Sequence, residues 1–199
     1  MISMYIGSGD TSSLLAGKDT QSFKKLAQRF VSDAKPYYNA KSSPIDVLRT
    51  GAILEDRYLL YLDDSYYSQC SVICEYIDVL KSTLDFAKYI EGEITQFQEL
   101  KTCNFDDFLT LQNSDLDYVK KYYKNNYNQV QFQLLCSGLQ SATLVFLVVY
   151  EYCDDINYGR DISDDQLIKF EIHRDYDVIS KIIDRAMFFQ NIKELYEKI

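Results

Sequence analysis

Twenty residues near the middle of the chain, TLDFAKYIEGEITQFQELKT (83–102), leave little choice of local structure. Two runs rich in β-branched and aromatic residues flank Glu91-Gly92-Glu93, which reads as a β-hairpin. With a three-residue turn over Glu91 to Glu93, Ile90 pairs with Ile94 and Asp85 falls directly opposite Glu99. Side chains alternate faces along a strand, so Lys101 shares a face with Glu99. Two carboxylates and an ammonium then stand together on one side of a sheet. Like charges directly opposite each other are destabilising, and a bridging cation relieves them. A two-residue turn would instead put Asp85 and Glu99 on opposite faces.

The rest of the chain reads as helices around further strands. IGSGDTSSLLAG (6–17) is a turn feeding a short helix, with Asp10 or Thr11 as its cap. Residues 21–32 carry Phe23, Leu26, Ala27 and Phe30 at helical spacing. Ser43-Pro44 starts a helix to about Leu62, with Leu48, Ala52, Leu59 and Leu62 as its apolar stripe and Glu55 on that stripe. A carboxylate on a buried stripe needs a partner, a shifted pKa or a metal. Strands follow over 69–81, 83–90 and 94–102, then a long helix over 115–139 ended by Ser137-Gly138. A hydrophobic strand over 141–152 leads through an acidic loop (Asp154 to Asp165) to a strand over 166–173. Asp175 caps the closing helix. The expected fold is α/β (α+β): one domain, 1–199, with a central mixed β-sheet flanked by helices.

Composition excludes several classes. With two prolines and seven glycines in 199 residues, there is no flexible linker and no turn-rich sandwich. The net charge of −9 argues against a generic nucleic-acid coat protein but permits a site where carboxylates hold a cation that meets phosphate. No run approaches the roughly 20 apolar residues of a membrane span, and the N-terminus lacks a signal-peptide pattern. Five cysteines without a CxxC pair read as reduced thiols of a cytoplasmic protein. A single histidine, His173, rules out a histidine triad or multi-histidine metal site.

Hard oxygen ligands such as Asp85, Glu99 and Glu55 suit Mg²⁺, with Mn²⁺ as a substitute. An ion held there orients a phosphodiester and activates water, and Lys101 offsets the charge that develops. The bland alternative is an exposed hairpin with an ordinary cross-strand Glu–Lys pattern.

Asp85 followed by Glu99-Leu100-Lys101 resembles the signature of the PD-(D/E)XK nuclease superfamily, whose restriction-endonuclease-like core is a mixed sheet flanked by helices. More narrowly, the chain resembles the YqaJ-like viral recombinase nucleases, the group that includes lambda exonuclease. IGSGDTSSLLAG resembles that group's opening segment, and Gly51-Ala52-Ile53-Leu54-Glu55 its Gly-x-x-x-Glu helix. Thr83-Leu84-Asp85 matches its small-hydroxyl–x–Asp pattern, and Gln129-Val130-Gln131 its Gln-x-Gln. Ile172-His173-Arg174-Asp175 and the following helix resemble its C-terminal end.

The resemblance implies a metal-dependent DNA exonuclease. Such an enzyme degrades one strand of linear double-stranded DNA, 5′ to 3′, and leaves 3′ tails for recombination by strand annealing. It implies Glu55, Asp85, Glu99 and the Leu100 carbonyl as ligands of Mg²⁺, Lys101 as the catalytic lysine and Gln129 as a support of the site. Thr83, Ser8 and Gln131 fall on substrate-side positions. Implied partners are double-stranded DNA ends, a single-strand annealing protein and other copies of the chain in a ring. In one departure, the serine common before the opening segment's acid falls at Gly9, with Ser8 adjacent. Lys18, Lys24, Lys25, Arg29, Lys120, Lys121 and Lys124 are candidates for a DNA-facing surface. Two other readings stay open: a non-catalytic acidic protein that mimics DNA through the Asp154 to Asp165 loop, and an endonuclease or RecB-type nuclease on the same core.

Overall fold

A computed structural model describes residues 4–32, 45–152 and 154–198. A short strand β1 (Ile6–Gly7) leads through a 3₁₀ turn (Ser8–Asp10) into α1 (Thr11–Leu15), followed by α2 (Gln21–Ser32) and α3 (Ile45–Tyr61). A meander of β2 (Tyr66–Ile73), β3 (Leu80–Ile90) and β4 (Glu93–Cys103) comes next. Three helices, α4 (Phe105–Gln112), α5 (Leu116–Tyr122) and α6 (Lys124–Ser137), then carry the chain to β5 (Ser141–Val148). A short α7 (Asp154–Tyr158), β6 (Leu167–His173) and the long α8 (Tyr176–Tyr196) complete the order.

Among the described residues the strands form one mixed sheet in the order β1-β3-β4-β5-β6, with β2 on the outer side of β3. β4 and β5 are parallel, whereas the β3–β4 and β5–β6 pairs are antiparallel. β5 is buried along most of its length, as its unbroken apolar run predicts. On one face the sheet buries Leu84, Phe97, Leu144 and Phe146 against Val130 and Leu134 of α6. On the other face Phe86, Leu100, Val145 and Leu147 pack against Leu54 and Tyr58 of α3.

The hairpin reaches its expected register by an unexpected route. Its turn has two residues, Glu91 and Gly92, with φ of 54° and 88°, the paired positive values that a type I′ turn needs. Ile90 therefore pairs with Glu93 and Tyr89 with Ile94, one residue off the three-residue expectation. A β-bulge then admits Thr95 as an extra residue on β4. Lys88 pairs with Gln96, Ala87 with Phe97 and Phe86 with Gln98. The two departures cancel by the last pair, Phe86–Gln98, so that the same register carried one residue further sets Asp85 level with Glu99.

A second irregularity lies at the same level. Ser68 pairs with Phe86 and Cys70 with Leu84, so Gln69 stands opposite Asp85. Gln69 has a φ of 54° inside a strand. Leu84 and Ala87 pack in the same cluster although three residues apart, and Phe86 packs in the other. Cys70 packs with the first cluster and Tyr66 with the second. β2 and β3 thus change faces together at Gln69 and Asp85.

Three expectations are corrected. The strand over 69–81 is two strands, because residues 74–79 turn back, with hydrogen bonds Leu80 N to Ile77 O and Cys74 N to Leu80 O of 2.9 Å each. The helix over 115–139 breaks at Tyr123 (φ −111°, ψ 36°), where the ring packs edge-to-face on Phe146 at 5.0 Å. The buried stripe of α3 is Thr50, Ile53, Leu54 and Tyr58; of the expected residues Leu59 and Leu62 pack beside it, partly buried, whereas Leu48 is 64% exposed and Ala52 faces solvent. The Ser43-Pro44 start and Cys153 lie outside the described residues.

Gly138 ends α6 with a φ of 77°, the left-handed C-terminal cap expected there. Asp175 caps α8 by accepting from the backbone N–H groups of Asp177 (3.1 Å) and Val178 (3.2 Å). Its other oxygen accepts from the Tyr127 hydroxyl at 3.1 Å, tying α8 to α6. Asp175→Ala should therefore lower stability by about 1–2 kcal/mol. Thermal denaturation should show it as a Tm drop of about 2–8 °C.

Candidate active site

The hairpin, α3 and α6 bring five of the predicted side chains to one place: Asp85, Glu99, Lys101, Glu55 and Gln129. Glu99 sits in the middle of β4, where the residues on either side point to the opposite face. Leu100 packs under α3, which leaves Glu99 and Lys101 on the α6 side. Glu99 has no solvent exposure, and three donors hold it. Lys101 Nζ lies 2.6 Å from Oε1, as does Gln129 Nε2, and Gln133 Nε2 lies 2.5 Å from Oε2. A buried carboxylate costs a great deal unless charge and hydrogen bonds surround it, and here both are supplied.

The recorded pairing between β3 and β4 stops at Phe86–Gln98. Beyond it the Asp85 carboxylate takes the place of a ladder partner, its Oδ2 accepting from the Leu100 N–H at 3.0 Å. Burial, then the nearby Glu99 charge, push the Asp85 carboxyl up to about 8. Glu55 enters from α3, half-buried, and Gln69 Nε2 donates to its Oε2 at 3.2 Å. Burial raises the Glu55 carboxyl, the Lys101 charge opposes that rise and the Glu99 charge adds to it. Burial alone would push the Lys101 ammonium down, but Glu99, Asp85 and Glu55 together outweigh it and hold it above the ordinary lysine value. Three carboxylates thus act on one another around a single lysine.

Glutamine 133 was not anticipated. It is fully buried on α6 and bridges Glu99 to the Thr83 carbonyl, 3.2 Å from its Nε2. The signal was present: residues four apart share a helix face, so Gln133 sits beside Gln129. By the same geometry Gln131 points away. It is fully buried, donates to the His173 carbonyl at 2.8 Å and accepts from the Asp175 N–H at 2.7 Å. Its amide locks the junction of β6 and α8 and is not brought to the carboxylates.

The remaining candidates are dispersed. Thr83 exposes its side chain two residues before Asp85. Ser8 is buried in the first 3₁₀ turn, which packs on α6 and β3. Arg29 is ion-paired with Asp10. Lys120 lies over the Tyr127 ring, Lys121 over Tyr122 and Lys18 over Phe188. Lys24, Lys25 and Lys124 are exposed.

As placed, no three acidic, histidine or cysteine side chains among the described residues converge to ligate one ion. Each acid is turned to a protein donor instead: Asp85 to Leu100, Glu55 to Gln69, Glu99 to Lys101 and two glutamines. The chemistry of the donor set nonetheless fits a hard divalent cation. It offers three carboxylates, of which Asp85 is raised by burial and then by the Glu99 charge, and a main-chain carbonyl at Leu100, next to Glu99.

By sequence, neither a protein-family profile nor a curated protein matches the chain. Solved structures do match in fold. An alkaline exonuclease from Laribacter hongkongensis aligns over 99% of this chain and 93% of its own, at 15% identity and a TM-score of 0.61. The same exonuclease in complex with dAMP aligns over 99% and 92%, at 14% identity and a TM-score of 0.60. A phage-related exonuclease from Haemophilus somnus 129PT aligns over 98% and 96%, at 15% identity and a TM-score of 0.57. The chain has the mixed-sheet fold of these exonucleases, which fits the resemblance read from its motifs.

Proposed function

We propose that this chain is a Mg²⁺-dependent DNA exonuclease that hydrolyses one strand of linear double-stranded DNA from the 5′ end, with Mn²⁺ as a substitute. The observation that carries the reading is the Asp85–Glu99–Lys101 cluster, clasped by α6 and faced by Glu55, within a fold shared with exonucleases. Glu55, Asp85, Glu99 and the Leu100 carbonyl would hold the ion. When bound, it supplies Lewis acidity toward the phosphodiester and its attacking water. Lys101 turns its ammonium toward that water and toward the charge developing on the phosphate oxygens. Gln129 and Gln133 keep their bonds to Glu99 meanwhile, so the carboxylate is not stranded when the lysine turns away. The 3′ tails left behind would serve a single-strand annealing protein, and several copies of the chain could encircle the DNA.

The DNA-mimic reading has less support. A buried carboxylate with its own lysine and two glutamines is of no use to an acidic docking surface. Part of the acidic loop is also tied down, with Arg57 of α3 donating to Asp161 and to the Arg160 carbonyl at 2.7 Å each. Among the described residues no helix is long and apolar enough to cross a membrane.

The test is a gel assay on 5′-phosphorylated linear duplex labelled separately at each end, with Mg²⁺ or EDTA, beside a closed circular control. Mg²⁺-dependent loss from the 5′ ends with the circle intact is the expected result. Cutting of the circle would make the chain an endonuclease. No cleavage with Mg²⁺ or Mn²⁺ would overturn the enzymatic reading.

A further inference from the structure

Gln69 is exposed, sits in the middle of a strand, and has a backbone that side chains with a Cβ rarely adopt, at φ 54°. Glycine would take that conformation freely, and asparagine more readily than glutamine. Packing does not account for the choice, because nothing in the core depends on this side chain. Strain that packing does not explain points to a job for the side chain itself.

The position suggests what that job is. Gln69 stands opposite Asp85, where β2 and β3 change faces together. The kink carries its amide across to α3, where Nε2 donates to Glu55 Oε2 at 3.2 Å. We infer that Gln69 is a positioning residue: its left-handed backbone places its amide on Glu55 and so holds Glu55 toward the Asp85–Glu99–Lys101 cluster. This rests on the proposed nuclease function, since Glu55 acts there as a metal ligand. Gln69 touches no reacting atom in this scheme. It fixes the approach of α3's carboxylate, and with it the affinity of the site for the ion.

Gln69→Gly separates this role from a structural one, because it removes the side chain and relieves the backbone at once. In EDTA the variant should melt about 2–4 °C higher than wild type. In a Mg²⁺ titration followed by thermal shift, half-saturation should need about tenfold more Mg²⁺, as for other outer-shell partners of metal ligands. Cleavage at limiting Mg²⁺ should fall in step and recover at high Mg²⁺. An unchanged Mg²⁺ response would overturn the inference. So would a lower melting temperature with cleavage lost in proportion, which would make Gln69 structural. If wild type itself shows neither Mg²⁺ stabilisation nor cleavage, the proposed function falls and takes this inference with it. Wild-type activity combined with an unaffected Gln69→Gly variant removes this inference alone.

Discussion

Lys101→Ala should leave a folded protein that cleaves linear duplex DNA about 10²–10³-fold more slowly than wild type. Among the described residues the ammonium is the one positive group bonded to Glu99, and three carboxylates hold its proton in place. An alanine cannot stabilise the attacking water or the charge that grows on the phosphate. Folding should survive, because Gln129 and Gln133 still satisfy both oxygens of Glu99. The loss of a charge-assisted bond to a buried carboxylate should cost about 1–3 kcal/mol in EDTA. The Mg²⁺ response should move the other way. Without Lys101 the cluster is more negative, and Glu99 Oε1 loses a competitor for the ion. Thermal shift should therefore show a larger stabilisation of Lys101→Ala by Mg²⁺ than of wild type. Wild-type cleavage by the variant would remove Lys101 from the chemistry. Lost cleavage together with a lost Mg²⁺ response would mean that the lysine supports the site's structure.

Much of this site could be read from the chain because β-structure and helices repeat with fixed periods. Alternation along residues 83–102 placed Glu99 and Lys101 on one face, and the structure keeps them there. The placing of Asp85 level with Glu99 was harder. The turn is one residue shorter than expected and the bulge at Thr95 restores the register. A bulge answers to the twist of the whole sheet, which no local pattern encodes. The same limit explains Gln69, because no residue type signals a left-handed kink at a glutamine. On α3 the apolar residues are spread around the helix, so sequence alone favoured Leu48 and Ala52. Packing on Phe86 and Leu100 selected Leu54 and Tyr58 instead. The break at Tyr123 carries no proline or glycine, and it coincides with a ring contact to Phe146, distant in sequence. Gln133 could have been found, since helical spacing from Gln129 predicts it.

Asp85→Asn should stabilise the metal-free fold while ending its activity, and the stability gain should depend on pH in a fixed direction. The Asp85 carboxyl is held up to about 8 by burial and by Glu99. Below about pH 4 the carboxyl is protonated in folded and unfolded chains alike, so wild type and Asp85→Asn should differ little. As pH rises from 4 toward 8 the unfolded chain gives up this proton while the folded chain retains it. Wild type therefore loses stability over that window, and each unit of displacement is worth about 1.4 kcal/mol. Asparagine keeps an oxygen that can accept from the Leu100 N–H and carries no charge at any pH. In EDTA at pH 8 the variant should melt at least about 5 °C above wild type, and the gap should close toward pH 4. Mg²⁺ should reverse the order. An ion that binds the ionised carboxylates stabilises wild type increasingly as pH rises, because the Asp85 proton must leave for it to bind. Asparagine offers no such ligand, so the variant should show little Mg²⁺ stabilisation and no cleavage. A variant less stable than wild type at pH 8 in EDTA would mean that Asp85 is ionised and satisfied in the metal-free protein. The cluster would then be a structural ion-pair network, with no deficit of positive charge for a cation to fill.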